Sequence, residues 1–325
     1  MSGANVLLFV APAALLYTFF VIAPSLRSFS WSLHRWNGLT DMRGMPFVRL
    51  LNFRRLLLEN DGFWIALGNN LFIMFVVPLF VIPLALFLAA TISRGVRGAT
   101  LFRVVFFFPN LLGGVAATLL WLHLYNPQGG LVNSALAPVL KPIAPAFLHL
   151  GEWLVPHRGG WHIGVASVAI GEWMRNIEHF TWLEPKHLYW ALVPISIWGT
   201  VGFNMVLFLA AMESIPETYY EAATIDGASR WRQFWTITLP LIWDILAIAI
   251  VFLIIGGMKA FDLIWLLANQ RPLTENHVIS TRMVQTMFNE FNVGEATALA
   301  VLLFLMVFVG SAATLRGLRR ETVEL

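Results

Sequence analysis

The chain contains no cysteine, which excludes disulfides, thiolate metal sites and a thiol nucleophile. Charge is scarce as well: Asp, Glu, Lys and Arg make up 12% of the 325 residues. The formal net charge of +3 comes from scattered arginines and not from a basic run, which argues against a nucleic-acid surface. There is no G-x-x-x-x-G-K-[ST] stretch to cradle a nucleotide, no H-E-x-x-H to hold zinc and no G-x-S-x-G to present a nucleophilic serine. The eight histidines are dispersed, with no two at metal-ligand spacing on one predicted helix. An enzyme has little to work with here. What the chain does have is apolar surface: 58% of its residues are hydrophobic and its mean hydropathy is +0.72. That is too apolar for a soluble globule and predicts a polytopic membrane protein.

A helix crosses the ~30 Å hydrocarbon core with ~20 apolar residues. Six runs meet that requirement: residues 6–26, 64–92, 101–124, 187–212, 241–267 and 293–315. Because lipid offers no hydrogen bonds to exposed backbone, runs of this length are helices, and the expected fold is all-α. Residues 6–26 are apolar for longer than the core of a cleaved leader and lack a small-residue cleavage site. Residues 125–186 are expected to form an external loop with an extra section at 138–180. Within it, WHIGVASVAIGEW (161–173) is too short to span and reads as a folded loop or interfacial helix. The short connectors are basic, with Arg94 and Arg97 in one and Arg230 and Arg232 in another, which places both termini in the cytoplasm. Six arginines between residues 27 and 62 argue the opposite way by raw count.

The stretch 213–240, ESIPETYYEAATIDGASRWRQFWTITLP, lies between two apolar runs and carries its own folding signals. Ser214 and Glu217 have the S-x-x-E spacing of a capping box, with Pro216 in the first turn. Gly227 suits the left-handed conformation that ends a helix, and Asp226 or Ser229 is placed to cap a second short helix carrying Trp231, Phe234 and Trp235. Helix, turn, helix is the expected order. The residues alone fit both a docking element and a solvated loop helix.

EAATIDGASRWRQFWTITLP (221–240) resembles the EAA signature of permease subunits in binding-protein-dependent ABC importers, E-A-A-x-x-D-G-A followed by I-x-L-P. Glu221, Ala222, Ala223, Asp226, Gly227, Ala228, Ile237, Leu239 and Pro240 fall on that pattern. Trp36–Gly38, then Asn52 and Leu56, and then Asn126-Pro127 with Gly130 and Asn133 resemble two further stretches of the family. The D-G-A-S form is similar to the sugar and polyol branch. The resemblance implies a type I importer fold with about six transmembrane helices in a bacterial or archaeal cytoplasmic membrane. It implies that 213–240 is a cytoplasmic coupling loop whose first helix enters a groove on an ATPase. It further implies a second permease subunit, two ATPase subunits holding ATP and Mg, an external solute-binding protein, and no cofactor on this chain. The extra section 138–180 departs from the family and is either a folded loop or additional contact with the binding protein.

Polar groups within the predicted spans are the candidates for the substrate pathway, because each is costly in hydrocarbon. Lys259 and Asp262, three apart on the fifth run, are expected to share a helix face and neutralise each other. Asn70, with its neighbour Asn69, and Asn110 and Asn204 offer donors and acceptors for a hydroxylated ligand or for neighbouring helices. Trp198, near Phe203 and Asn204, offers an aromatic face on which a pyranose stacks. Gly256-Gly257 serves either bending or close packing of the fifth run. Runners-up are a permease for a phosphate ester or peptide, and a membrane-embedded enzyme or scaffold.

Overall fold

The computed structural model describes residues 3–41, 44–154 and 161–318. Among these the only β pairing is an isolated bridge between His34 and Phe47; the rest is helix and connecting loop. The first span, Phe9–Trp31, comprises α1 (Gly3–Tyr17), a π turn at Thr18–Ile22 and α2 (Ala23–Trp31). After α3 (Leu51–Arg54) and a second π turn (Arg55–Glu59), α4 (Asp61–Ile92) forms the longest helix. It starts where Asn60 Oδ1 accepts the Gly62 amide at 2.9 Å, a side-chain N-cap.

The third apolar run is not one helix. It divides into α5 (Ala99–Leu111) and α6 (Gly114–Leu124), which meet at 99°. Pro109 withdraws an amide from the last turn of α5, and Leu112 and Gly113 then take extended backbone with ψ of 127° and 147°. Next come α7 (Leu131–Leu140), α8 (Ala144–Leu154) and α9 (Trp161–Arg175). α7 and α8 are bent by 60°, and by length and composition this pair also passes as a broken span. Gly171 of α9 lies against Leu148 of α8 so closely that a Cβ there would sit 2.7 Å from Leu148 Cγ. The 161–173 stretch is thus half of a packed helix pair.

The fourth run is α10 (Leu188–Glu213). After the 213–240 stretch come α14 (Trp243–Met258) and α15 (Asp262–Leu267), separated by an unwound step at Lys259–Phe261, then α16 (Ile279–Phe288) and α17 (Val293–Leu318). The fifth run is therefore also interrupted, with Phe261 at φ −139° and ψ −61°.

α4 is the axis of the bundle, lying against both α10 and α14. In lipid, helices associate by van der Waals fit and a few hydrogen bonds, so small residues mark the tightest contacts. Gly257 of α14 meets the Met74 backbone of α4, where a Cβ would come within 3.1 Å, and Gly202 of α10 rests directly on the Phe106 carbonyl of α5. Of the Gly256-Gly257 pair, close packing accounts for Gly257, while Gly256 has open space beside it.

Asparagines bind loops and breaks to this frame. Buried Asn70 donates from Nδ2 to the Gly257 and Met258 carbonyls at 3.0 and 3.1 Å, and its Oδ1 accepts the Ile279 amide at 2.9 Å. One side chain on α4 thereby closes the end of α14 and the start of α16. Asn69 donates to the Glu275 and His277 carbonyls. Asn52 holds the Ser32 and His34 carbonyls, and Asn133 holds those of Glu178 and Phe180 while accepting Trp182 Nε1. Beside it, Trp182 stacks on Tyr125, whose hydroxyl donates to the Ala191 carbonyl at 2.8 Å.

Asn70→Ala strands two carbonyls and an amide, each costing about 1–3 kcal/mol when buried without a partner. We expect the thermal midpoint of the detergent-solubilised protein to fall by several degrees, and an unchanged midpoint would mean that water replaces all three bonds. A second expectation concerns His277 in the 268–278 loop. Burial, followed by the charge of Arg282, pushes its imidazole down to about 4. The unfolded imidazole takes a proton near pH 6.5, so stability should fall as pH drops from about 6.5 to about 4, by up to about 1.4 kcal/mol per pH unit. His277→Gln should flatten that slope in thermal melts, and a slope left intact would assign the loss to other groups.

Candidate functional site

α10 ends at Glu213, and the way it closes sets the start of the hairpin. The Ser214 hydroxyl donates to the Ala211 carbonyl at 2.8 Å, so it closes the span and does not cap the next helix. The expected capping box is absent: Pro216, with ψ of 135°, redirects the chain and is itself the residue preceding α11 (Glu217–Ile225). The Ala228 amide bonds back to the Ala223 carbonyl at 2.8 Å, and Gly227 takes φ of +77°, the left-handed stop expected of it. Ser229 Oγ then accepts the Arg232 amide at 3.4 Å and opens α12 (Arg230–Gln233). A third π turn (Phe234–Thr238) and α13 (Leu239–Leu241) carry the chain to α14.

No residue of α11 is buried. Glu221, Ala222, Asp226 and Gly227 lie on open surface, and Ile225 is 87% exposed. Ala223 and Ala228 are half-buried, as are Ile237 and Leu239, and Pro240 is exposed. The hairpin is stiffened internally, with Gln233 Nε2 donating to Thr224 Oγ1 and to the Ala228 carbonyl at 3.0 and 3.2 Å. Tyr220 and Thr238 share a hydroxyl pair at 3.0 Å, joining α11 to the approach to α14. Behind it lies a cleft of about 500 Å³ whose walls include Arg94, Glu213, Glu217 and Arg230. The Glu213 carboxylate also takes the Arg103 guanidinium at 2.5 Å.

The second feature is a cavity of about 410 Å³ where the two helix breaks meet, a size that suits a small-molecule ligand. Asn110, Trp198, Lys259 and Asp262 line it, with Gly114, Gly199 and Gly256. Asn110 Nδ2 donates to the Gly199 carbonyl at 3.3 Å, and among the described residues its Oδ1 has no partner. Trp198 stands edge-on to Trp121, with ring centroids 5.9 Å apart.

Lys259 and Asp262 do not pair. No ion pair joins them, because the unwound step between α14 and α15 separates what one helix would have aligned. Each charge instead sits at a helix end of opposite sign. Lys259 follows the C-terminus of α14, and Asp262 is the first residue of α15. The Asp262 carboxylate also lies against Gly114, the first residue of α6, at 3.3 Å from where a Cβ would stand. Sequence reasoning did not single out Gly114, although Gly113-Gly114 after Pro109 is a visible break signal.

The remaining candidates lie outside the cavity lining. Asn70 is wholly engaged by backbone. Asn204 is 2% exposed, donates to the Thr200 carbonyl of its own helix at 2.9 Å, and leaves Oδ1 buried without a partner. Phe203 is not part of the lining and sits 6.2 Å from the ring of Phe252, which is.

A bundle with interrupted helices around a cavity and a capped, exposed hairpin between two spans defines a transport protein, and comparison places it. Residues 66–318 match the family described as binding-protein-dependent transport system inner membrane component. The chain belongs to that family: it is a multi-pass inner-membrane permease subunit of an ABC importer. It is similar to the diacetylchitobiose uptake system permease protein of Streptomyces coelicolor, with 30% identity over 317 residues, covering 94% of this chain and 80% of the relative. The trehalose/maltose transport system permease protein of Thermococcus litoralis is 27% identical over 303 residues, 92% of this chain and 88% of the relative. In fold it resembles a chain in the crystal structure of a bacterial ABC transporter involved in import of the acidic polysaccharide alginate. There the TM-score is 0.73 at 22% identity, over 98% of this chain and 96% of that one.

Because Lys259 and Asp262 are held by helix ends and not by each other, a double-mutant cycle with Lys259→Met and Asp262→Asn should give a stability coupling indistinguishable from zero. The same cycle at Arg103 and Glu213 should give a few tenths to about 1 kcal/mol. Comparable couplings at the two pairs would restore the ion pair.

Proposed function

We propose that this permease carries a neutral sugar, oligosaccharide or polyol, and that α11 transmits the work of a separate ATPase. The observation that carries the second part is the exposure of α11: nine helical residues with none buried, held at a fixed angle by Gly227 and Gln233, form a shape that waits for a partner surface. In this reading residues 213–240 and both termini are cytoplasmic. Two ATPase subunits hold ATP and Mg, a second permease completes the pathway, and an external binding protein delivers the solute. Closure of the ATPases then drags α11, and with it the ends of α10 and α14, so the spans swing between inward- and outward-facing states.

Support for a neutral solute comes from the cavity. Lys259 is the one basic residue among its lining side chains, and Asp262 offsets it. A phosphate ester would meet no net positive field there. Asn110 Oδ1 offers a free acceptor, and the Trp198 ring lines the same space, the pairing of polar and flat apolar surface that a sugar presents in return. Relatives named for diacetylchitobiose and for trehalose/maltose uptake point the same way.

Glu221→Lys and Gly227→Pro should each abolish uptake while leaving membrane insertion and the thermal midpoint near the parent values. Proline is fixed near φ of about −65° and cannot take the left-handed turn. Wild-type uptake by a well-expressed Glu221→Lys variant would remove α11 from the coupling path. Trp198→Ala should raise the half-saturating solute concentration about tenfold or more, since base- and ring-type stacking contributes ~1–3 kcal/mol; an unchanged value would take Trp198 out of the pathway.

A further inference from the structure

The hairpin segregates its charge and its aromatic surface, and the two halves ask for different neighbours. From Glu217 to Ala228 the chain carries Glu217, Glu221 and Asp226 and no Lys or Arg; from Ser229 to Trp243 it carries Arg230 and Arg232 and no Asp or Glu. The basic half also holds the exposed rings. Trp231 is 71% exposed and Trp235 is 50% exposed, one turn apart with ring centroids 5.5 Å from each other, while Arg230 and Arg232 flank the first of them in the open.

This surface is continuous with the membrane. Helical backbone runs from Arg230 through the π turn to Leu241, and α14, a span, begins at Trp243. An indole pair and two guanidinium groups within three turns of a span entrance have the composition of a headgroup-layer contact. The ring bodies take apolar surface, the indole N–H groups and guanidinium groups reach polar headgroups, and positive charge favours anionic lipid. A basic protein groove, the complement of acidic α11, repels this half.

We propose that Trp231, Trp235, Arg230 and Arg232 form an interfacial anchor seated in the anionic headgroup layer, so that α12 is fixed to the bilayer while α11 faces protein. The anchor depends on 213–240 lying at a membrane surface and not on which subunit α11 meets. Loss of uptake in Glu221 variants and the depth of Trp231 are therefore separate results.

The absence of cysteine makes the test direct. In the assembled transporter, with partner subunits stripped of cysteine and reconstituted in phosphatidylglycerol-containing bilayers, a nitroxide is attached at Trp231→Cys, Trp235→Cys or Ile225→Cys. Collisions with oxygen should exceed those with a water-soluble nickel chelate several-fold at positions 231 and 235, and the order should reverse or both should be suppressed at 225. Nickel dominating at 231 and 235 would show a solvated surface, and suppression of both would show a protein partner; either overturns the anchor. On the unaltered chain, a photoreactive phosphatidylglycerol should leave adducts between residues 230 and 241. Adducts confined to the spans would also overturn it.

Discussion

Hydrocarbon supplies no hydrogen bonds, and that constraint governs this molecule most where its helices stop. An uninterrupted span satisfies its own backbone; a broken one frees carbonyls and amides that must find partners inside the protein. Here the fifth span breaks at 259–261, and the groups it frees are met from neighbouring helices. Asn70 takes the Gly257 and Met258 carbonyls, and Ser280 Oγ takes that of Ala260. Because those partners are fixed, the break is a built element and not a weak point. It holds Lys259, Phe261 and Asp262 at the wall of a cavity that a straight helix would have sealed.

The same economy explains how charge persists at that depth. Separated by an unwound step, Lys259 and Asp262 rest on helix ends whose partial charges oppose theirs, and Gly114 lets α6 approach the carboxylate. Both residues consequently remain available to the cavity, which an ion pair would have closed off from a ligand. Buried Asn204, with an unmet oxygen in the middle of α10, marks the opposite case, a polar group inside the packing and away from the space.

How much of this was legible in the sequence depends on range. Apolar runs of span length announce themselves, and so does the hairpin, because Gly227 and Ser229 act on neighbours only a few residues away. Ser214 misled because the spacing of a capping box says nothing about where the preceding helix ends. The breaks in the third and fifth runs were obscured because three unwound residues hardly alter the hydropathy of a twenty-residue window. Pro109 with Gly113-Gly114 carried a local warning of the first, and nothing comparable announced the second. Asn70 was visible as a polar residue in a span, but its role depends on carbonyls 187 and 188 residues away. The pairing expected of Lys259 and Asp262 failed for a related reason: their i,i+3 spacing has meaning only on an unbroken helix.

Three π turns interrupt otherwise α-helical backbone, at Thr18–Ile22, Arg55–Glu59 and Phe234–Thr238. Each accommodates one residue more than an α turn, which offsets the phase of everything after it by about 100°. The third lies between the exposed hairpin and the span that carries the broken helix. One residue gained or lost there re-clocks the faces of α14 relative to α12 without touching either sequence. The register between the surface element and the cavity wall is thus set by a single count, and it can be retuned in steps of one.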